Sequence, residues 1–214
     1  PASNTISEFI FGLGLAGSAE SVKLQIRDFP GEYLTSSIKE DREEIYNFMA
    51  NATVILIAVD TPYLMEEDGK YNEEKNKVAL VTHYLKDNVT AIKDKLVLFV
   101  PLKCERYMHD GKLQQVSEKT VEAYKELKEF FSNNNIASFV TPIITLGGIE
   151  FDYMKENSMA GDISKVSVFR PWDTKPEYKP LFCPQPLYYL LTYVTNYYEW
   201  EKKQPKGFFD SFMS

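Results

Sequence analysis

The sequence is poor in cysteine and glycine, has no excess of proline, and has no long apolar run. The two cysteines, Cys104 and Cys183, lie far apart and outside any metal-ligand spacing, which argues against a disulfide framework and a structural zinc site. Proline and glycine number 11 and 10 in 214 residues, too few for collagen or a low-complexity chain. No stretch approaches the roughly 18–20 apolar residues of a membrane span, and the first residues lack the layout of a signal peptide. We therefore expect a cytoplasmic chain with no membrane span.

The chain also has fewer basic than acidic residues. The chain has 24 basic and 31 acidic residues and a net charge of −7. An acidic surface gives no overall electrostatic reason to approach nucleic acid, so we expect no nucleic-acid partner. The remaining composition, 44% hydrophobic and 26% charged, is typical of an ordinary globular protein.

Runs typical of strands alternate with stretches of helical spacing along most of the chain. The runs at 53–60 and 95–101 are unbroken and apolar, as expected of strands covered on both faces of a parallel sheet. Further strands are indicated at 8–15, 22–28, 137–145 and 165–169, the first two with 17–19 as a plausible hairpin link between them. Helices are indicated at 36–50, 71–93, 117–132 and 186–202. This order predicts an α/β fold with a mostly parallel sheet and helices on both faces.

Ligands of such sheets bind at the carboxyl ends of the strands, which directs attention to the residues that follow each strand. The segment 28–32 reads Asp-Phe-Pro-Gly-Glu and precedes a helix. A carboxylate at Asp28 could hold Mg²⁺, and Gly31 would let its backbone N–H approach a phosphate closely. Asp-x-Pro-Gly is also an everyday turn, so this pattern alone decides nothing.

Two further segments follow strands in the same way. Lys103 and Glu105 come directly after the run at 95–101, and Thr145 and Leu146 end the run at 137–145. By itself a Lys-x-Glu pair on a loop is more often a solvated surface pair. The order of these motifs along the chain is more specific than any one of them.

In this order, residues 5–203 resemble the translation-factor-related class of P-loop GTPases, from the second strand of that class to its last helix. The resemblance implies a three-layer, Ras-like P-loop fold. Its domain would span 1–203, with 147–184 as a proline- and aromatic-rich insertion and 204–214 as a C-terminal tail. The sequence contains no G-x-x-x-x-G-K-[ST], so the phosphate loop of the class, with its first strand and helix, is missing from it.

The resemblance implies a guanine-nucleotide-binding domain that hydrolyses GTP and acts as a switch. The stem of Lys103 would cover the base, and the Glu105 carboxylate would accept hydrogen bonds from guanine. Thr145 and Leu146 would lend backbone N–H groups to the base. Glu105 carries one methylene more than the Asp of the usual motif.

On the phosphate side, the resemblance implies Mg²⁺ as the cofactor of GTP or GDP. Asp28 would bind the nucleotide and hold the metal shell, and Thr5 would be a second metal ligand. Gly31 would contact the γ-phosphate. Glu32 would be the catalytic residue, in the place where Ras-like enzymes have a water-orienting Gln.

Two other classes remain open. One is a non-hydrolysing pseudo-GTPase that serves as a protein-interaction module, with the aromatic residues of the last helix and of 208–212 as a partner surface. The other, a flavodoxin-like or receiver-like domain, fits less well because no phosphate loop rich in Ser or Thr is present. His83 and His109 have no nucleophile beside them in sequence and are interpreted as structural or solvated.

Overall fold

A computed structural model of the chain describes residues 6–14, 16–20, 22–29, 33–34, 39–159 and 162–203. These residues belong to two compact units, Pro1–Ala52 and Thr53–Ser214. No helix within the described ranges is long and apolar enough to cross a membrane.

The first unit contains an antiparallel two-stranded ribbon and one helix, formed by β1 (Ser7–Leu13), β2 (Val22–Asp28) and α1 (Lys39–Asn51). The guanidinium of Arg27 on β2 lies 4.2 Å from the ring centroid of Phe48 on α1, a cation–π contact within the unit. Three consecutive apolar residues of β1, Phe9, Ile10 and Phe11, are 51%, 53% and 48% exposed. Because successive residues of a strand point to opposite faces, the ribbon is apolar on both of its faces.

The second unit is built on a three-stranded parallel sheet in the order β3 (Val54–Asp60), β4 (Leu96–Leu102) and β5 (Ala137–Val140). The central strand β4 is buried from Leu96 to Val100. Beyond the end of β5, the N–H groups of Thr141 and Ile143 still donate to carbonyls of β4, at 2.9 and 2.8 Å. The chain therefore stays beside β4 as far as the loops at the carboxyl edge.

The helices of the second unit pack on both faces of the central strand β4. On one face, the Phe99 ring of β4 lies 4.9 Å from Tyr124 and 6.3 Å from Phe131. On the other, Leu96, Leu98, Val100 and Ile143 form a cluster against which Tyr189 and Tyr193 of the last helix pack. The helices are α2 (Thr61–Met65), α3 (Asn72–Asn76), α4 (Val78–Asp87), α5 (Val89–Ile92), α6 (Glu105–His109), α7 (Leu113–Ala123), α8 (Lys125–Asn133) and α9 (Gln185–Lys203).

A long antiparallel hairpin of β6 (Ile149–Met159) and β7 (Asp162–Pro171) follows the parallel sheet. Its β7 strand is held against α2 by Tyr63, whose hydroxyl donates to the Lys165 carbonyl at 3.1 Å and accepts from the Ser167 N–H at 3.3 Å. A side chain thus satisfies backbone groups on the outer edge of this hairpin, where no further strand is paired with it in the described part of the chain.

The prediction of a Ras-like, mostly parallel sheet is wrong, although the unit is α/β. The described strands form three small sheets, two of them antiparallel pairs, and only three strands run parallel. β2 pairs with its neighbour β1, and the segment expected to carry one edge strand at 165–169 forms the β6–β7 hairpin. In both places nearby segments pair through a short connection, which antiparallel strands permit and parallel strands do not.

Two predicted helices are also divided. The region 71–93 forms α3, α4 and α5, with Lys77 at a φ of 51° between the first two. The region 117–132 is divided at Tyr124, where α7 ends and α8 begins. A left-handed residue turns the chain out of a helix even where the apolar spacing continues, so periodicity alone does not show such a break.

Burial in the sheet can be tested with two leucines that face each other across β3 and β4. Leu98 is fully buried, whereas its register partner Leu56 is 51% exposed. We expect Leu98→Ala to lower the free energy of unfolding by about 2–5 kcal/mol, because it leaves a cavity in the core. The matched Leu56→Ala should cost less than about 1 kcal/mol. Urea denaturation followed by circular dichroism measures both, and equal losses would contradict the described core.

Candidate functional site

The loops that follow β4 and β5 are bonded to each other at the carboxyl edge of the parallel sheet. The N–H of Lys103 donates to the Thr145 hydroxyl at 2.8 Å, and the N–H of Cys104 donates to the Ile143 carbonyl at 3.4 Å. Lys103 has a φ of 62°, a left-handed conformation that is uncommon for a residue with a side chain. This turn directs the chain from β4 into α6 beside Thr145.

Glu105, the first residue of α6, connects the same two loops through its side chain. It is only 1% exposed, and its Oε1 accepts hydrogen bonds from the N–H groups of Leu146 at 2.6 Å and Gly147 at 3.3 Å. We call this contact the Glu105 latch. A buried carboxylate needs such donors, because an unpaired charge away from water is costly.

Beside the latch, Lys103 forms an ion pair with Asp60 at the end of β3. Lys103 Nζ lies 2.5 Å from Asp60 Oδ2, and the side chains are 39% and 26% exposed. The Asp60 backbone N–H donates to the Asn76 side chain at 2.7 Å, while Asp60 Oδ1 is buried with no hydrogen-bond partner among the described residues. The partly exposed Lys103 is thus an accessible cation at this edge, and Asp60 fixes where its ammonium lies.

Cys104 lies in the same turn but does not have the properties of a nucleophile. It is fully buried, and its sulfur is 3.2 Å from the Thr61 hydroxyl. Burial raises the pKa of the Cys104 thiol to about 12. Because the thiolate is the reactive form, this cysteine is inert at neutral pH.

A segment at 172–181, which we call the strap, runs along the loop at 144–148. The backbones of Ile144 and Leu181 exchange two hydrogen bonds of 3.1 Å, and the Lys179 N–H donates to the Leu146 carbonyl at 3.0 Å. At the other end of the strap, the Trp172 N–H donates to the Gly148 carbonyl at 3.0 Å. The strap therefore lies against the loop that supplies the donors of the latch.

The start of the strap also contacts the far end of α6. The Trp172 ring stacks on His109 with 3.7 Å between ring centroids. His109 Nδ1 is 3.2 Å from the carboxylate of Glu150, which is 2% exposed and accepts from Arg170 at 3.1 and 2.9 Å. The structure thus gives His109 a structural contact on the outer side of α6.

Of the residues expected around the phosphates, the structure describes only Asp28. Asp28 is exposed at the end of β2, in the first unit. Thr5, Gly31 and Glu32 lie outside the described residues. Within the described ranges, no group of three or more His, Cys, Asp or Glu side chains is placed to hold a metal ion. Asp28 by itself offers one carboxylate.

The aromatic residues expected to form a partner surface are divided between packing and exposure. Tyr189 stacks on Phe139 with 5.4 Å between centroids, and the Tyr193 hydroxyl donates to the Asp94 carbonyl at 2.7 Å. Tyr188 is 68% exposed. The side chains of 197–203 and the whole of 208–212 lie outside the described part of the chain.

Sequence reasoning brought attention to Lys103, Glu105, Thr145 and Leu146, and the structure places these four together. It missed the strap and the ion pair with Asp60. A signal for the strap was present in the adjacent glycines 147 and 148, since paired glycines often mark a close approach of two backbones.

The chain was compared with protein-family models, with curated proteins and with solved structures, and none of them matches it. The geometry of the carboxyl edge is therefore the basis for assigning a function.

Thiol reactivity tests the environment of this edge. We expect one fast-reacting thiol per folded chain with Ellman's reagent, from the exposed Cys183, and a second only in denaturant, because burial of Cys104 suppresses its thiolate. Cys183→Ser should abolish the fast phase, and Cys104→Ser should leave it intact. Two fast thiols in the folded wild-type chain would show that the turn after β4 is open to solvent.

Proposed function

We propose that the loops at the carboxyl edge of the parallel sheet bind the base of a guanine nucleotide. The Glu105 latch is the observation that carries this proposal. It brings a carboxylate acceptor and two backbone donors together at the edge where α/β sheets bind ligands.

The latch is complementary to one edge of guanine. Guanine presents two donors, the ring N–H and the exocyclic amine, next to a carbonyl acceptor. Such a base can replace the hydrogen bonds between Glu105 and the two amides with its own. The Glu105 carboxylate then accepts from the two donors of guanine, and the Leu146 and Gly147 amides donate to its carbonyl. Adenine has an amine in place of the carbonyl and an unprotonated ring nitrogen in place of the N–H. It would place donor against donor and acceptor against acceptor, which disfavours it.

Lys103 supplies the remaining contact. Its stem is apolar and half exposed, and its ammonium is tied to Asp60. Long charged side chains commonly cover apolar surfaces with their methylene groups while the charge stays near water. We assign the stem of Lys103 to one face of the base. Thr145 supports this position by accepting the Lys103 N–H.

Hydrolysis and switching stay predictions of the sequence resemblance. They depend on Glu32 as the catalytic residue, on Gly31 at the γ-phosphate, and on Asp28 and Thr5 as ligands of Mg²⁺. The geometry described above supports binding of the base and bears on none of these four residues.

A protein-interaction module without nucleotide is the second candidate function, and one observation favours it. The latch is complete as it stands, since Glu105 is buried and already accepts from two amides. A permanent contact of this kind would only join two loops. The neighbouring strap, with Tyr178 76% exposed and Trp172 55% exposed, would then offer aromatic side chains to a partner.

Titration with fluorescent analogues of GTP and ATP, with and without Mg²⁺, tests the proposal. We expect saturable binding that favours guanine. Glu105→Gln replaces one acceptor oxygen by an amide donor, so guanine affinity should fall by about 10-fold to 100-fold while ATP binding changes little. Lys103→Ala should also weaken guanine binding, through the lost cover of the base.

Lys125→Ala is the matched control, because Lys125 is exposed on α8 and is not among the residues assigned to the base; it should bind like the wild-type chain. Absence of saturable guanine binding in the wild-type chain would overturn the proposal and leave the interaction module. Equal affinity for GTP and ATP would overturn the role of the latch.

A further inference from the structure

We propose that the strap at 172–181 sets base selectivity by holding the Leu146 and Gly147 amides in donor position, with Gly147 and Gly148 as positioning residues. The inference rests on the proposed function, because it concerns the same site. It assigns to the strap the recognition of a 6-oxopurine, and to Glu105 the recognition of the amine that guanine alone adds.

The strap fixes the orientation of the peptide between Leu146 and Gly147. The strap donates from Lys179 to the Leu146 carbonyl at 3.0 Å. In a trans peptide the carbonyl and the following N–H point in opposite directions. A strap that holds the Leu146 carbonyl on one side therefore aims the Gly147 N–H to the other side, where it donates to Glu105.

The backbone of the strap lies very close to the backbone of Gly147 and Gly148. A Cβ on Gly147 would overlap the Lys179 carbonyl, and a Cβ on Gly148 would overlap the backbone of Glu177. Gly147 also has a φ of 77°, which a residue with a side chain rarely adopts. The strap lies where it does only because both positions lack a side chain.

The strap also contacts α6, the helix that carries the Glu105 carboxylate of the latch. Trp172 at its start stacks on His109, the last residue of the helix that Glu105 begins. The strap thus contacts α6 at one end and the loop at 144–148 along its length. Release of either contact should loosen the donors relative to the acceptor.

These roles can be separated with a series of nucleotides. The 6-carbonyl is shared by GDP and IDP, while the exocyclic amine is present in GDP only. Displacement of the Leu146 and Gly147 amides should lower the affinities for GDP and IDP by the same factor and leave the affinity for ADP unchanged. A general loss of structure would lower the affinities for all three nucleotides. A change at the Glu105 carboxylate would alter the ratio of the GDP affinity to the IDP affinity.

The test uses Gly148→Ala in the full chain. We expect faster hydrogen exchange at the Leu146 and Gly147 amides and about tenfold weaker binding of both GDP and IDP, with their ratio unchanged. Gly111→Ala is the matched control: Gly111 has a φ of 69° but open space around it, so it strains the backbone without overlap. It should leave exchange at Leu146 and Gly147 and both affinities at wild-type values.

A second pair of variants covers the case in which Gly148→Ala does not fold. Trp172→Ala removes the contact with His109 and should speed exchange at the same two amides, whereas Tyr178→Ala, which removes an exposed ring from the same strap, should not. Unchanged exchange in Gly148→Ala or Trp172→Ala, in a chain that binds GDP, would overturn the role of the strap alone. A wild-type chain that binds no GDP, with exchange still raised in the variants, would overturn the proposed function and base selection with it.

Discussion

The second unit depends on the burial of β4 on both of its faces. Alternate residues of this strand point to opposite sides, where Phe99 meets the rings near α7 and α8, and Leu98 belongs to the cluster packed against α9. A strand held between two layers and two parallel neighbours has little freedom at its end. Its carboxyl end therefore delivers Lys103 and Glu105 to a defined place, and the loop after β5 is carried beside them by backbone bonds to the same strand.

Part of this arrangement could be predicted from the sequence, and the limit is physical. The unbroken runs became the parallel strands β3 and β4, but burial on both faces holds for β4 only, since Leu56 of β3 is 51% exposed. The rule that ligands meet the carboxyl ends of strands leads directly to Glu105 and Leu146. The hairpin link at 17–19 is confirmed by the pairing of β1 with β2. Which strands share a sheet is otherwise a non-local property, and β7 pairs with the adjacent β6 instead of joining the parallel sheet. The strap is held largely by backbone groups, which carry no side-chain pattern, so the paired glycines 147 and 148 are its main trace in the sequence.

The carboxyl edge combines one buried charge with several backbone groups that are oriented by their neighbours. Glu105 accepts from two amides, and the strap holds the Leu146 carbonyl, which belongs to the same peptide as one of them, the Gly147 N–H. The Lys103 ammonium is held by Asp60. Preorganised dipoles of this kind cost little reorganisation when a ligand replaces one partner with another. The same arrangement is the common basis of the two proposals for this edge, base binding and a permanent structural contact.

The β1–β2 ribbon has a consequence for the handling of this protein. Phe9, Ile10 and Phe11 are about half exposed, so both faces of the ribbon present apolar surface to water. Two-stranded ribbons of this kind have open edges that can template the pairing of another chain. Self-association at high concentration would thus begin at the ribbon while the parallel sheet is still folded, and colloidal stability would depend on three side chains remote in sequence from the carboxyl edge.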